Sequence, residues 1–224
     1  MDQLVTNPAT DLIESLASKV SGRNRRRKYQ EFIDLLQPSS TDTIIDIGVT
    51  DTDYWSTDNY LAKHYPYPEQ ITALTPEKME HFSRNHPQIK VINGDGCDLQ
   101  FPDGSFDIGY SNAVIEHVGS RDRQIQFVRE MRRVSKRGYL TTPNRLFPIE
   151  VHTRLPLLHL MLPKQQFDRC CEFIGKGWAA GDYMNLLSRN ELESVLRTAG
   201  VTNYRIRSMR LFGLPLTYTA TWVN

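Results

Sequence analysis

Apolar positions recur at helical spacing at the start of the chain. Leu12, Ile13, Leu16 and Val20 follow an Asn7-Pro8-Ala9-Thr10-Asp11 entry, and Tyr29, Phe32, Ile33, Leu35 and Leu36 form a second set that stops before Pro38. The spacing predicts two helices, a cap over residues 1–40. From Thr43 the pattern changes to short apolar runs bounded by polar residues. Thr43–Gly48, Ile71–Leu74, Lys90–Ile92, Ser105–Tyr110 and Gly138–Thr142 read as buried strands. Helical patterns fall between them, through Met79, Phe82 and His86 and again over Gln124–Val134.

Alternation of this kind predicts an α/β domain, a mostly parallel sheet with crossover helices over 41–146. In such sheets ligands bind beyond the carboxyl ends of the strands, so the residues that follow each strand are the ones to weigh. From Phe147 the alternation breaks. The 147–187 segment holds Pro148, Pro156 and Pro163 and the apolar group Leu155, Leu157, Leu158, Leu160, Met161 and Leu162, and is expected to be a partly helical lid inserted after the fifth strand. Over 188–224, Ser188-Arg189-Asn190-Glu191 resembles a capping box before a helix through Leu192, Val195 and Leu196, closed by Gly200, and two last strands bring the expected total to seven.

Composition narrows the function classes. Of 224 residues, 39% are hydrophobic, enough for one large core. The 27 basic and 26 acidic side chains leave a formal charge of +1, so no global field attracts nucleic acid. Arg23, Arg25, Arg26, Arg27 and Lys28 form a local exception. They read either as the solvated face of a helix or as a contact with an anionic partner or membrane surface. Cys97, Cys170 and Cys171 offer no disulfide framework, and no apolar run approaches the ~18 residues of a membrane span. A cytoplasmic protein with free thiols is expected.

The candidate chemistry lies after the strands. Asn93-Gly94-Asp95-Gly96-Cys97-Asp98, the Phe101-Pro102-Asp103-Gly104-Ser105-Phe106-Asp107 stretch, Tyr110–Val118, Arg132-Arg133-Val134 and Thr141-Thr142-Pro143-Asn144 occur in an order that resembles class I, Rossmann-like methyltransferases dependent on S-adenosylmethionine (SAM). The whole pattern is similar to uncharacterised bacterial methyltransferase-domain proteins. The resemblance implies a seven-stranded sheet flanked by helices, SAM as cofactor, and a small-molecule, lipid or glycan-precursor acceptor methylated at oxygen. Nucleic acid is not an expected partner, and peripheral membrane contact is compatible with it.

The resemblance also assigns residues. Asp95 would accept from the adenine amino group, with Gly96 and Cys97 bringing backbone close, while Asp46, Gly48 and Thr50 would meet the methionine part of SAM, and Thr75 and Asn112 complete the cofactor set. The family's second and third loop glycines are replaced by Thr50 and Thr52. Thr75 stands where the family has a ribose-holding acid, and Glu77 either substitutes for it or favours the start of a helix. Glu116 and His117 resemble the catalytic Glu-His of quinone-biosynthesis O-methyltransferases. His117 is either the general base or a helix-start histidine satisfied by local backbone. Ala113 stands where relatives with a metal have an acid, so no metal is expected. Asn144, Arg145, Glu150 and His152 are the expected acceptor contacts. A non-catalytic binding module with a degenerate SAM site and a nucleic-acid methyltransferase are the rival readings.

Overall fold

The computed structural model describes residues 8–53, 57–150, 153, 155–181 and 184–224. Its centre is a seven-stranded sheet of β1 (Ile44–Ile47), β2 (Ile71–Thr75), β3 (Lys90–Asn93), β4 (Phe106–Asn112), β5 (Ser135–Pro143), β6 (Tyr204–Leu211) and β7 (Leu214–Val223), ordered β3-β2-β1-β4-β5-β7-β6. The first five strands run parallel, and β7 lies antiparallel between β5 and β6. Strand order reverses between β1 and β4, which makes the carboxyl ends of that pair the crevice of the sheet.

Both faces of the sheet are covered. On one, α4 (Arg121–Val134) and α7 (Arg189–Thr198) bury Phe127, Met131, Leu192 and Val195 against Ile45, Ile47 and Leu140. On the other, α1 (Pro8–Leu36), α2 (Tyr60–His64) and α3 (Glu80–Asn85) bury Phe32, Leu61 and Phe82 with Ile44, Ile71 and Tyr139. Helix α7 starts with the predicted capping box, Ser188 and Glu191 each bonding the other's backbone amide. Arg133, at the end of α4, donates to the Leu99 and Phe101 carbonyls at 2.7 Å each and ties down the turn after β3.

Two helices were expected before the sheet, but one helix runs unbroken through Pro8–Leu36. The polar run that suggested a break is rich in arginine and lysine, which are good helix formers. It interrupts the apolar stripe because Ser21, Asn24, Arg25 and Lys28 face a cavity rather than the core. Tight contacts hold the helix over the sheet. Phe32 packs edge-on to Tyr110 and Tyr139, whose rings stack at 5.4 Å, and the Tyr139 hydroxyl donates to the Lys28 carbonyl at 2.7 Å. Arg137 donates to the Leu36 carbonyl at 2.6 Å, satisfying the end of the helix.

The 147–187 segment contains α5 (Leu158–Met161) and α6 (Lys164–Phe173). Phe167, Cys171 and Ala180 form a small core there with Leu155, Leu158 and Leu162, apart from the two main clusters.

Candidate functional site

A cavity of about 810 Å³ opens at the carboxyl ends of β1, β2 and β4. It falls at the strand-order reversal, and its outer wall is α1.

Asp46, near the end of β1, is 5% exposed, and burial pushes its carboxyl up to about 7. Gly48 follows at φ +99°, and a Cβ there would lie 2.2 Å from the Val114 side chain, so both backbone conformation and space demand glycine. The loop beyond takes its own path. The Asn59 side chain accepts from the Thr50 amide at 3.0 Å and donates to the Thr50 carbonyl at 2.8 Å. Asp51 accepts from the His81 and Phe82 amides, satisfying the first turn of α3. These side-chain anchors hold the loop that carries Thr50 and Thr52. Thr75 is buried at the end of β2 and Glu77 is exposed, and both line the cavity.

At the far end, Asp95 accepts from the Cys97 amide at 2.9 Å and from Arg123 at 2.8 Å. Partial burial pushes its carboxyl up, but the Arg123 and Cys97 bonds outweigh that and hold it below the usual range. Arg123 also donates to the Val118 carbonyl at 2.7 Å, clamping the turn after β3 to the turn after β4. Gly96 is needed for space, since a Cβ would meet Phe127 at 2.7 Å and Ile47 at 2.9 Å. Cys97 does not line the cavity. Its buried thiol donates to the Arg123 carbonyl at 3.4 Å, and burial pushes it up to about 11.

Asn112 closes β4 and lines the cavity, accepting from Lys28 at 3.0 Å and from Thr141 at 2.7 Å. Lys28 is 5% exposed. Burial pushes its ammonium down to about 8, Arg25 acting in the same direction and Glu116 and Glu31 against it. Arg25 itself is ion-paired with Asp58. His117 sits exposed on the cavity wall, in the 3-10 turn Ile115–His117. Gln124 holds that turn by donating to the Ile115 carbonyl at 3.1 Å and the Asn185 carbonyl at 2.7 Å. Asn185 in turn donates to the Gly119 carbonyl at 3.0 Å.

Several expected residues lie elsewhere. Glu116 points away from the cavity, fully buried, and accepts from the Thr142 hydroxyl at 3.0 Å. Asn144 is pinned to the start of β7 through the Pro215 and Leu216 carbonyls. Arg145 pairs with Glu191 at 3.2 Å, and buried Glu150 accepts from the Thr153 amide. His152 lies outside the described residues. No described residue of 147–187 lines the cavity. The cavity-facing side chains of α1 take the place of these residues. Their spacing, Ser21, Asn24, Arg25 and Lys28 at i, i+3, i+4 and i+7, was the available signal.

Comparison with known proteins agrees with this geometry. Residues 56–141 match a family model described as a methyltransferase domain. The PH0226 protein of Pyrococcus horikoshii OT3 superposes with a TM-score of 0.61 at 13% identity, covering 90% of each chain. A SAM-dependent methyltransferase from Mesorhizobium loti gives 0.60 at 12% identity, over 88% of this chain and 98% of that one. The chain thus has the fold of these solved structures, with the pattern of a methyltransferase domain over residues 56–141. A protein of Encephalitozoon cuniculi (strain GB-M1), provisionally named a methyltransferase, is 46% identical over 48 residues, 21% of this chain and 23% of that protein. The alignment thus spans less than a quarter of that relative's length.

The residues that line the cavity suit SAM, on which the Mesorhizobium loti neighbour depends. Asp46 is a buried carboxyl facing a cavity that also holds the orphaned Thr50 hydroxyl, buried with no hydrogen-bond partner among the described residues. A ligand with an ammonium and hydroxyl groups satisfies such a donor set.

Proposed function

We infer that the chain transfers a methyl group from SAM to an oxygen of a small-molecule, lipid or glycan-precursor acceptor. The observation that carries this reading is the shared cavity. Cofactor-side groups (Asp46, Thr75, Asp95, Gly96, Asn112) and acceptor-side groups (Lys28, His117) line one space at the strand-order reversal. SAM supplies an already activated methyl on its sulfonium, so the protein's work is placement and proton handling.

Asp46 would hold the amino acid end of the cofactor, Thr75 with Glu77 the ribose, and Asp95 with the backbone at Gly96 the adenine. Lys28, fixed on Asn112, directs its ammonium at the acceptor oxygen and favours its anionic form. His117 takes the hydroxyl proton. The methyl that SAM would supply would then join that oxygen by a new C–O bond, the pair of the broken C–S bond staying on sulfur. Glu116 acts at one remove, its buried charge favouring the protonated form of Lys28.

Isothermal titration with SAM and S-adenosylhomocysteine, followed by incubation with methyl-labelled SAM and a panel of hydroxylated acceptors, tests the reading. Binding of both and base-stable label in an acceptor are expected. No binding of either at about millimolar concentration would sink it and leave a binding module on the same fold.

A further inference from the structure

The basic run of α1 divides between two cavities. Arg25 and Lys28 turn into the cavity already described. Arg23, Arg26 and Arg27 line a second one of about 780 Å³, between α1 and the β6–β7 hairpin. Arg210 joins them from β6, while Val20, Met209, Leu211 and Leu216 supply apolar surface. Four exposed arginines from two elements thus line it, and no acidic residue is among the described residues of the lining.

A chain with 27 basic and 26 acidic residues has the acids to neutralise such a cluster. Arg25 has Asp58, Arg123 has Asp95 and Arg137 has Asp42. Arg23, Arg26 and Arg27 have no ion pair or hydrogen bond among the described residues, and Arg210 bonds only the Gly213 carbonyl, at 3.2 Å. Like charges at i, i+3 and i, i+4 of a helix repel. Keeping three of them together without a counter-charge makes sense where the counter-charge is a ligand.

The two cavities adjoin. Asn24 and Tyr60 line both, and Asn24 Oδ1 is buried there with no hydrogen-bond partner among the described residues. We propose that the second cavity is an acceptor-anchoring site for a phosphate ester carrying an apolar group. The arginines hold the phosphate in forked charge-assisted hydrogen bonds, and the hairpin side chains cover the apolar part. The methyl-receiving end of the acceptor passes Asn24 and Tyr60 into the first cavity. This last step rests on the O-methylation reading; the phosphate site itself does not.

The test titrates n-hexyl phosphate, glucose 1-phosphate and n-hexanol into the full chain. The titrations are repeated with Arg23→Gln/Arg27→Gln and with Arg26→Gln, after circular dichroism shows each variant folded. Binding of n-hexyl phosphate, weakened at least about ten-fold in the double variant and less in the single one, with no binding of n-hexanol, is the expected result. If glucose 1-phosphate binds as tightly, the phosphate site stands and its source is a soluble sugar phosphate; weaker binding assigns it to a lipid-like ester. Failure of both phosphates to bind at about 10 mM, or affinities unchanged in both variants, overturns the proposal. A parallel titration with S-adenosylhomocysteine separates the two readings, since its failure would remove the methyltransferase reading and leave the phosphate result standing.

Discussion

Lys28 donates to Asn112 at 3.0 Å, joining the long first helix to the end of the fourth strand across the floor of the cavity. The ammonium is buried, and burial pushes it down to about 8 from the ordinary 10.5. The unfolded chain holds that proton up to its ordinary value, whereas the folded chain releases it from about pH 8. Stability therefore rises with pH across that window, by roughly 3 kcal/mol for a shift of this size. Urea denaturation at pH 7.5 and 10 should show the rise in the parent protein relative to Lys28→Met, in which it should vanish. If Lys28 directs the acceptor oxygen, the same variant should lose about a hundred-fold or more in kcat while S-adenosylhomocysteine affinity stays within about two-fold.

Asp46 titrates in the opposite sense. Burial pushes its carboxyl up to about 7, so the folded protein keeps a proton there that the unfolded chain loses near pH 4. Between those values its contribution to stability falls as pH rises. A ligand ammonium needs the ionised form, so S-adenosylhomocysteine affinity should drop as pH falls below about 7, approaching ten-fold per unit. Calorimetry from pH 5.5 to 8 should show proton release on binding in the parent and a flat, weaker affinity in Asp46→Asn. An equally steep dependence in the variant would remove Asp46 from the ammonium site.

Which parts of this were legible in the sequence follows from the range of the forces involved. The parallel strands were legible because apolar runs and the helices between them are local patterns, and the position of the cavity follows from the strand ends. The single first helix was not. Its polar stripe looks like a solvated break until the cavity it faces is known. Glu116 and His117 are neighbours in the chain, yet packing against Thr142 turns Glu116 inward and leaves His117 on the cavity wall. Arg123 escaped notice because its partner Asp95 lies 28 residues away, and nothing in either local sequence announces the pair.

Asp95 and Arg123 make the adenine end testable. If Asp95 holds the adenine amino group, Asp95→Ala should remove a charge-assisted hydrogen bond of roughly 1.5–3 kcal/mol, weakening SAM about ten-fold or more. It also frees Arg123, so Arg123→Met serves as the control. That variant leaves the carboxylate and its Cys97 bond in place while unclamping the turn at Val118. A smaller loss in Arg123→Met than in Asp95→Ala is expected by calorimetry. Unchanged affinity in Asp95→Ala would move the adenine away from this turn.

The turn that carries His117 depends on Gln124, a buried side chain whose amide serves the Ile115 and Asn185 carbonyls together. Gln124→Leu has similar bulk but leaves both carbonyls without that donor, at a cost of roughly 1–3 kcal/mol for a buried group left unsatisfied. Urea denaturation should show that loss, and His117→Ala, an exposed change, should show almost none. The kinetic pattern should be the reverse. If His117 is the proton acceptor, its removal should lower turnover about a hundred-fold or more and abolish the limb of the pH–rate profile that falls towards acid. Gln124→Leu should keep that limb and lower kcat by less, because the base is displaced rather than lost. If His117→Ala leaves the acid limb in place, the proton goes to another group on the cavity wall, and the profile of Lys28→Met decides whether that group is Lys28.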